Sequence, residues 1–210
     1  MPSSFAVQSP ADVLNLALVR IGYKLRVGSL YDGSLAGKKA LDIYAQTRDD
    51  LLRDGDWPFA ERNVSGTLLK SAPQVPGGWG YIPPTVWTTA YPPLPWRFEY
   101  SWNSDFLKVR AVKNAPLFVP NFDPEPSLFA IVNDNAYSPP QRVIVSNVQN
   151  AVIVYTGQIT DPNTWPPDFT EALAAALGRR LAPILVSLDA AKLEGSDEQV
   201  ELNNAMVQQG

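Results

Sequence analysis

The hydrophobic period changes twice along this chain, and that change limits the folds open to it. Apolar residues recur at helical spacing near both ends, whereas the middle holds short runs rich in β-branched and aromatic residues. Segregated helices and strands of this kind belong to α+β architectures rather than to alternating α/β ones.

Ser9-Pro10-Ala11-Asp12 reads as a helix start, with Ser9 as cap, Pro10 in the first helical position and an acid in the first turn. Leu14, Ala17, Leu18 and Ile21 follow on one face, and Gly22 is placed to end the helix in the left-handed conformation. Beyond Tyr31-Asp32-Gly33, Ser34 caps a second helix whose expected buried stripe is Ala36, Ala40, Ile43, Tyr44, Thr47 and Leu51, ending near Gly55. Trp57 and Phe59 are expected to lock the end of that helix into the core.

Six strands are predicted between residues 63 and 160: Val64 to Leu69, Arg97 to Trp102, Phe106 to Val112, Leu128 to Asn133, Arg142 to Ser146 and Val152 to Tyr155. Two long connections interrupt them, Ser71 to Pro95 with seven Pro, and Asn114 to Pro126 with four. Connections of that length inside a domain are usually functional or disordered, and both are read as projecting arms. After Pro166-Pro167 an Ala/Leu-rich helix runs from Asp168 to about Ala182 with Phe169, Leu173, Leu177 and Arg180 or Leu181 along one side; Pro183 should kink or end it. Ser196 and Gln199 fit a capping box for a final helix to Gln208.

The predicted architecture is therefore α+β: an antiparallel bundle formed by N- and C-terminal helices, with an inserted small antiparallel β-sheet and long Pro-rich arms. The divisions are a helical pair over 1–62, a β domain over 63–160 and completing helices over 161–210.

The chain has no His and no Cys, which removes Ser-His-Asp and Cys-His catalysis, His or thiolate metal sites and disulfides. No signal peptide or membrane span is expected, because apolar runs are broken well short of ~20 residues. There are 17 Lys and Arg against 21 Asp and Glu, with the acidic excess concentrated after residue 166, and no basic cluster of the kind that grips DNA.

Asp49, Asp50, Asp54 and Asp56 crowd the end of the second helix. A carboxylate pair can hydrolyse a sugar bond. Ordinary helix pairing, such as Asp49 with Arg53 four residues on, explains the same run without chemistry. Gly77-Gly78-Trp79-Gly80 lacks the Lys that a phosphate loop requires, and Asn133-Asp134-Asn135 reads as a turn rather than a calcium loop.

The arm aromatics, Trp79, Tyr81, Trp87, Tyr91 and Trp96, have no cations among them between Ser71 and Pro95, so protein contact is a better reading than stacking on nucleic acid. The candidate interface residues are Trp79, Trp87 and Tyr91 in the first arm, Phe118 and Phe122 in the second, and Val200, Leu202 and Met206 in the final helix, which is expected to dock on a partner.

The run Leu14-Asn15-Leu16-Ala17-Leu18-Val19-Arg20-Ile21-Gly22, then Ser29-Leu30, Tyr44, Arg48-Asp49-Asp50-Leu51-Leu52 and Trp57-Pro58-Phe59-Ala60 resembles the head-to-tail adaptors (connectors) of tailed bacteriophages, the group that includes the tail tubular protein A of short-tailed phages. Trp96-Arg97-Phe98-Glu99-Tyr100 with Ser104-Asp105-Phe106-Leu107-Lys108-Val109 resembles their central strand pair. Val154-Tyr155-Thr156-Gly157, Thr160-Asp161, Phe169 and Glu171-Ala172-Leu173 resemble the strand and helix that follow. The likeness spans nearly the whole chain; the two Pro-rich arms match no pattern of the family.

The resemblance implies a structural virion protein made in the host cytoplasm and built into the neck at the head–tail junction. Its expected form is a ring, usually dodecameric, between the portal and the next tail component, a nozzle or terminator protein. Its partners would be the portal protein, neighbouring adaptor subunits and genomic DNA passing through the lumen without specific binding. No enzyme activity, cofactor, metal or membrane comes with it. C-terminal acidity suits a DNA-repelling channel lining and equally a solvated helix face. A virion-associated glycan-binding or glycan-hydrolysing protein is the alternative from a different class, and a cellular interaction module a third.

Overall fold

The computed structural model describes residues 9–72, 88–114 and 125–186. Helix α1 spans Pro10–Arg20, and Ser9 and Asp12 cap it reciprocally: the Asp12 N–H donates to Ser9 Oγ at 3.3 Å and the Ser9 N–H to Asp12 Oδ2 at 3.0 Å. Gly22 ends it at φ +73°, the left-handed region where a side chain is disfavoured.

Helix α2 spans Leu35–Asp54. Ser34 Oγ accepts from the Gly37 N–H at 3.0 Å, and Asp32 braces the preceding loop by accepting from the N–H groups of Ser34 and Gly28. Those bonds hold the Asp32 carboxyl below its usual range, the Ser34 side chain having the largest effect. The buried face differs from the predicted stripe at its end: Leu51 is half-buried and Leu52 fully buried. Steps of four from Ala36 through Ala40, Tyr44 and Arg48 carry the inward face to Leu52.

The third helix, α3, covers residues 167–186 and buries Phe169, Leu173, Leu177, Leu181 and Leu185 at four-residue steps. It does not end at Pro183. A proline forfeits one backbone hydrogen bond, and here the buried Leu181 and Leu185 anchor the helix on both sides of it.

Residues up to Asp54 and from Ile159 form one compact unit, and Gly55–Gln158 a second. In the first, Leu14 and Leu18 of α1, Val27, Ala36 and Ala40 of α2, and Leu181 and Leu185 of α3 share one core. Gly178 lets α3 approach α1, since a Cβ there would lie 3.3 Å from Ile21 and 3.4 Å from the Ala17 carbonyl. Arg20 bonds Glu171 of α3, and Arg180 donates to Thr47 at 2.9 Å and Asp50 at 3.0 Å on α2. The break after Asp54 falls earlier than the predicted 62/63 division, because the segment leading into the first strand packs with the β unit.

Among the described residues the β unit holds two four-stranded antiparallel sheets rather than one. β1 (Glu61–Ser65), β8 (Ala151–Gly157), β4 (Phe106–Asn114) and β5 (Pro126–Ser127) form the first in that order; β2 (Leu68–Ser71), β3 (Phe98–Ser101), β7 (Gln141–Ser146) and β6 (Phe129–Asp134) form the second. The single strand expected over Val64 to Leu69 is broken at Gly66-Thr67. The Gly66 N–H still donates to the Ala151 carbonyl at the start of β8, whereas the Thr67 carbonyl already accepts from Ser101 on β3, so the chain changes sheets there. A Cβ on Gly66 would stand 2.7 Å from the Tyr100 ring, which leaves room for no other residue. Tyr100, Phe106, Val109, Val112, Ile144, Ile153 and Tyr155, drawn from both sheets, make one shared core.

Trp57 and Phe59 do not enter the core as expected. Both are half-buried, their rings 6.2 Å apart, at the entry to the β unit. Arg110 fixes that entry by donating to the Trp57 carbonyl at 2.9 Å, Thr156 Oγ1 at 2.8 Å and Glu61 at 3.0 Å.

Candidate functional site

Seven of the eight predicted interface residues, Trp79, Trp87, Phe118, Phe122, Val200, Leu202 and Met206, lie outside the described residues, as do Gly77–Gly80 and the predicted final helix. Tyr91 is described and half-buried, its N–H donating to the Thr88 carbonyl at 3.0 Å in a turn.

Three of the four acids in the run, Asp49, Asp50 and Asp56, form separate ion pairs. Asp49 Oδ1 accepts from Arg48 Nε at 2.8 Å and lies 2.7 Å from a terminal nitrogen of the same guanidinium, which is nearly buried. Asp50 meets Arg53 at 3.3 Å and Arg180 at 3.0 Å. Asp56, in the β unit, faces Lys108 at 3.4 Å. Among the described residues no three His, Cys, Asp or Glu side chains are grouped to hold a metal, and no helix is long and apolar enough to cross a membrane.

Sequence reasoning missed a polar cluster on one face of the second sheet. Lys70 on β2 stands opposite Glu99 on β3, bonds Asp134 at the end of β6, lies 3.8 Å from Glu99 Oε2 and sits 4.7 Å from the centre of the Tyr137 ring. The Tyr137 hydroxyl donates to Glu99 Oε1 at 3.2 Å. The exposed fractions of the Lys70, Glu99 and Asp134 side chains are 11%, 0% and 10%, so the cluster is closed to a substrate.

Its electrostatics follow from one ammonium shared by two carboxylates. Burial pulls the Lys70 ammonium down, but its bond to Asp134 and the charge of Glu99 outweigh that and raise it. Burial would raise Asp134, yet the bonds from Lys70 and the Ala136 N–H hold it low. Glu99 moves the other way: burial dominates, Asp134 adds repulsion, and its carboxyl is pushed up. Glu99 Oε2 accepts no hydrogen bond. This arrangement clamps strands together and leaves one carboxyl poised to take a proton.

The signal for it was the acid in Phe98-Glu99-Tyr100. Tyr100 points into the core, so alternation places Glu99 on the opposite face, where its burial requires a cation. The Asn133-Asp134-Asn135 segment is a turn only from Asn135: Asn133 and Asp134 end β6, paired with Arg142 and Gln141, and Asp134 Oδ1 accepts from the Ala136 N–H at 2.8 Å where the turn begins.

No protein-family model and no curated protein sequence matches the chain.

Proposed function

We propose that this chain is a structural head-to-tail adaptor of a tailed-phage virion, forming a ring between portal and tail through which DNA passes. The reading rests on the sequence motifs of α1, α2, β3, β4 and α3 that resemble that family. The observation that supports it most is the helical unit, in which segments more than a hundred residues apart share one core, with Arg180 tied to Asp50 and Arg20 to Glu171. A helical unit whose core joins segments far apart in sequence keeps its register, which suits a neck component.

A ring of adaptors is a heterologous assembly, each subunit offering one surface to one neighbour and a different surface to the other. The arm residues Trp79, Trp87, Tyr91, Phe118 and Phe122 are proposed for neighbour contacts, and Val200, Leu202 and Met206 for the portal. Mixing the purified chain with portal rings and measuring co-sedimentation tests the reading. Saturable binding near one chain per portal subunit is expected, and loss of binding on removing residues 196–208 would locate the portal contact.

The glycan-hydrolase alternative would use Asp50 and Asp54. Asp50 meets Arg53 and Arg180, a pairing that ordinary helix-surface charges explain. Sugar release that depends on these acids would overturn the structural reading.

A further inference from the structure

The loop between α1 and α2, with the start of α2, carries an excess of cations. Lys24, Arg26 and Lys38 are exposed and Lys39 is half-buried. Among the described residues none of the four forms an ion pair; those of the helical unit fall on Arg20, Arg48, Arg53 and Arg180 instead. Two acids share the stretch, Asp42 and Asp32, the latter turned to the N–H groups of Gly28 and Ser34. Four cations against two acids leave it positive, and the N-terminal end of α2, whose first turn holds no acid, adds to that. Beside these charges stand Leu25 and Tyr31, 67% and 79% exposed. Open apolar side chains set among cations fit an occupant that is both acidic and apolar.

The chain itself carries such an occupant. Residues 187–210 hold five acids, Asp189, Glu194, Asp197, Glu198 and Glu201, against one cation, Lys192, with Leu188 and Leu193 interspersed. Their net charge of −4 equals that of the whole chain, so the rest of the sequence balances and the excess acid is confined to them. The fold sets where they start. Leu185, in the last described turn of α3, shares one core with Val27 of the loop and Ala36 of α2. The segment therefore begins beside the positive surface, and at ~3.3 Å per residue it is long enough to cross it.

Tethering favours this segment over an acidic partner from elsewhere. Surface charge pairs contribute little singly, but a joined segment meets its site at an effective concentration on the order of mM, so that even a weak contact is occupied.

We propose that the acidic segment 187–210 docks on the α1–α2 loop of its own subunit, its carboxylates against Lys24, Arg26, Lys38 and Lys39 and its first apolar residues against Leu25 and Tyr31, and so covers that surface in the free chain. The contact stands independently of the adaptor reading.

A carbodiimide joins an ammonium directly to a carboxylate it touches, and the full chain treated with one reports the contact, the links being located by mass spectrometry of the monomer band. Links from Lys24, Lys38 or Lys39 to the acids after residue 186 are expected, and their loss as salt rises from about 0.1 M to about 1 M, over which the screening length falls from ~10 Å to ~3 Å. Lys108 of the β unit, 40% exposed, is the reference amine. Lys24→Glu/Arg26→Glu alters only exposed side chains, with far-UV circular dichroism confirming the fold, and should lose the links at Lys38 and Lys39 as well. Links that persist unchanged in that variant would mean that charge does not hold the segment, and the proposal fails. Links no more frequent at the loop lysines than at Lys108, or found only in a dimer band because the segment reaches another copy, would also overturn it. Virion content is measured separately, so the adaptor reading can fail while the links still form.

Discussion

Asn15 and Val27 bind each other twice: the Asn15 amide nitrogen donates to the Val27 carbonyl and its oxygen accepts from the Val27 N–H, both at 2.9 Å. The side chain of α1 thus acts as a strand would toward the loop between α1 and α2. It satisfies backbone groups of a residue whose own side chain is in the core. Asn15→Ala leaves both groups without their partner and is expected to cost about 1–3 kcal/mol by urea unfolding, with a smaller loss for Asn15→Asp, which keeps the acceptor.

The Glu99 carboxyl, raised above its unfolded value by burial, contributes stability that is fully present below the unfolded pKa and is lost as pH rises through the folded one. Asp134, held low by Lys70, acts oppositely, losing its contribution as pH falls through its folded value. Comparison with Glu99→Gln isolates the first effect. The unfolding free energy of the native chain minus that of the variant should increase as pH falls from neutral toward the ordinary glutamate value of about 4.3. A decrease over that window would mean Glu99 is stabilised as the anion.

Gly66→Ala is expected to destabilise by about 1–3 kcal/mol, because the new methyl meets a Tyr100 ring that cannot retreat. Tyr100 is 1% exposed, and its hydroxyl donates to the carbonyls of Val148 and Gln149. Thermal unfolding of the two chains side by side measures this.

Phe169 and Trp57 should separate clearly on truncation. Phe169 is fully buried, packed edge-on against Trp165 at 5.3 Å, and Phe169→Ala should cost about 3–5 kcal/mol. Trp57 is half-buried, and Trp57→Ala should cost about half as much. Equal losses in denaturant midpoints would show that Trp57 is more deeply engaged than its exposure indicates.

The helices were legible because their signals are local. Ser9, Pro10 and Asp12 specify the start of α1, Ser34 caps α2, and four-residue steps mark the buried face of α3. Pro183 does not end α3, because its cost is local while the burial of Leu181 and Leu185 that outweighs it is tertiary. The two-sheet arrangement was hidden because a lone Gly inside the run Val64 to Leu69 reads equally as a weak strand position and as a bend; the close approach of Gly66 to Tyr100 and the change of hydrogen-bond partner at Thr67 reveal the corner. Lys70, Glu99 and Asp134 come together from three strands, and no sequence spacing brings them to one place.

The most direct test of the adaptor account is quantitative mass spectrometry of purified virions, with this chain measured against the portal protein. Near-equal copy numbers are the predicted result. Absence of the chain from the particle would contradict the account.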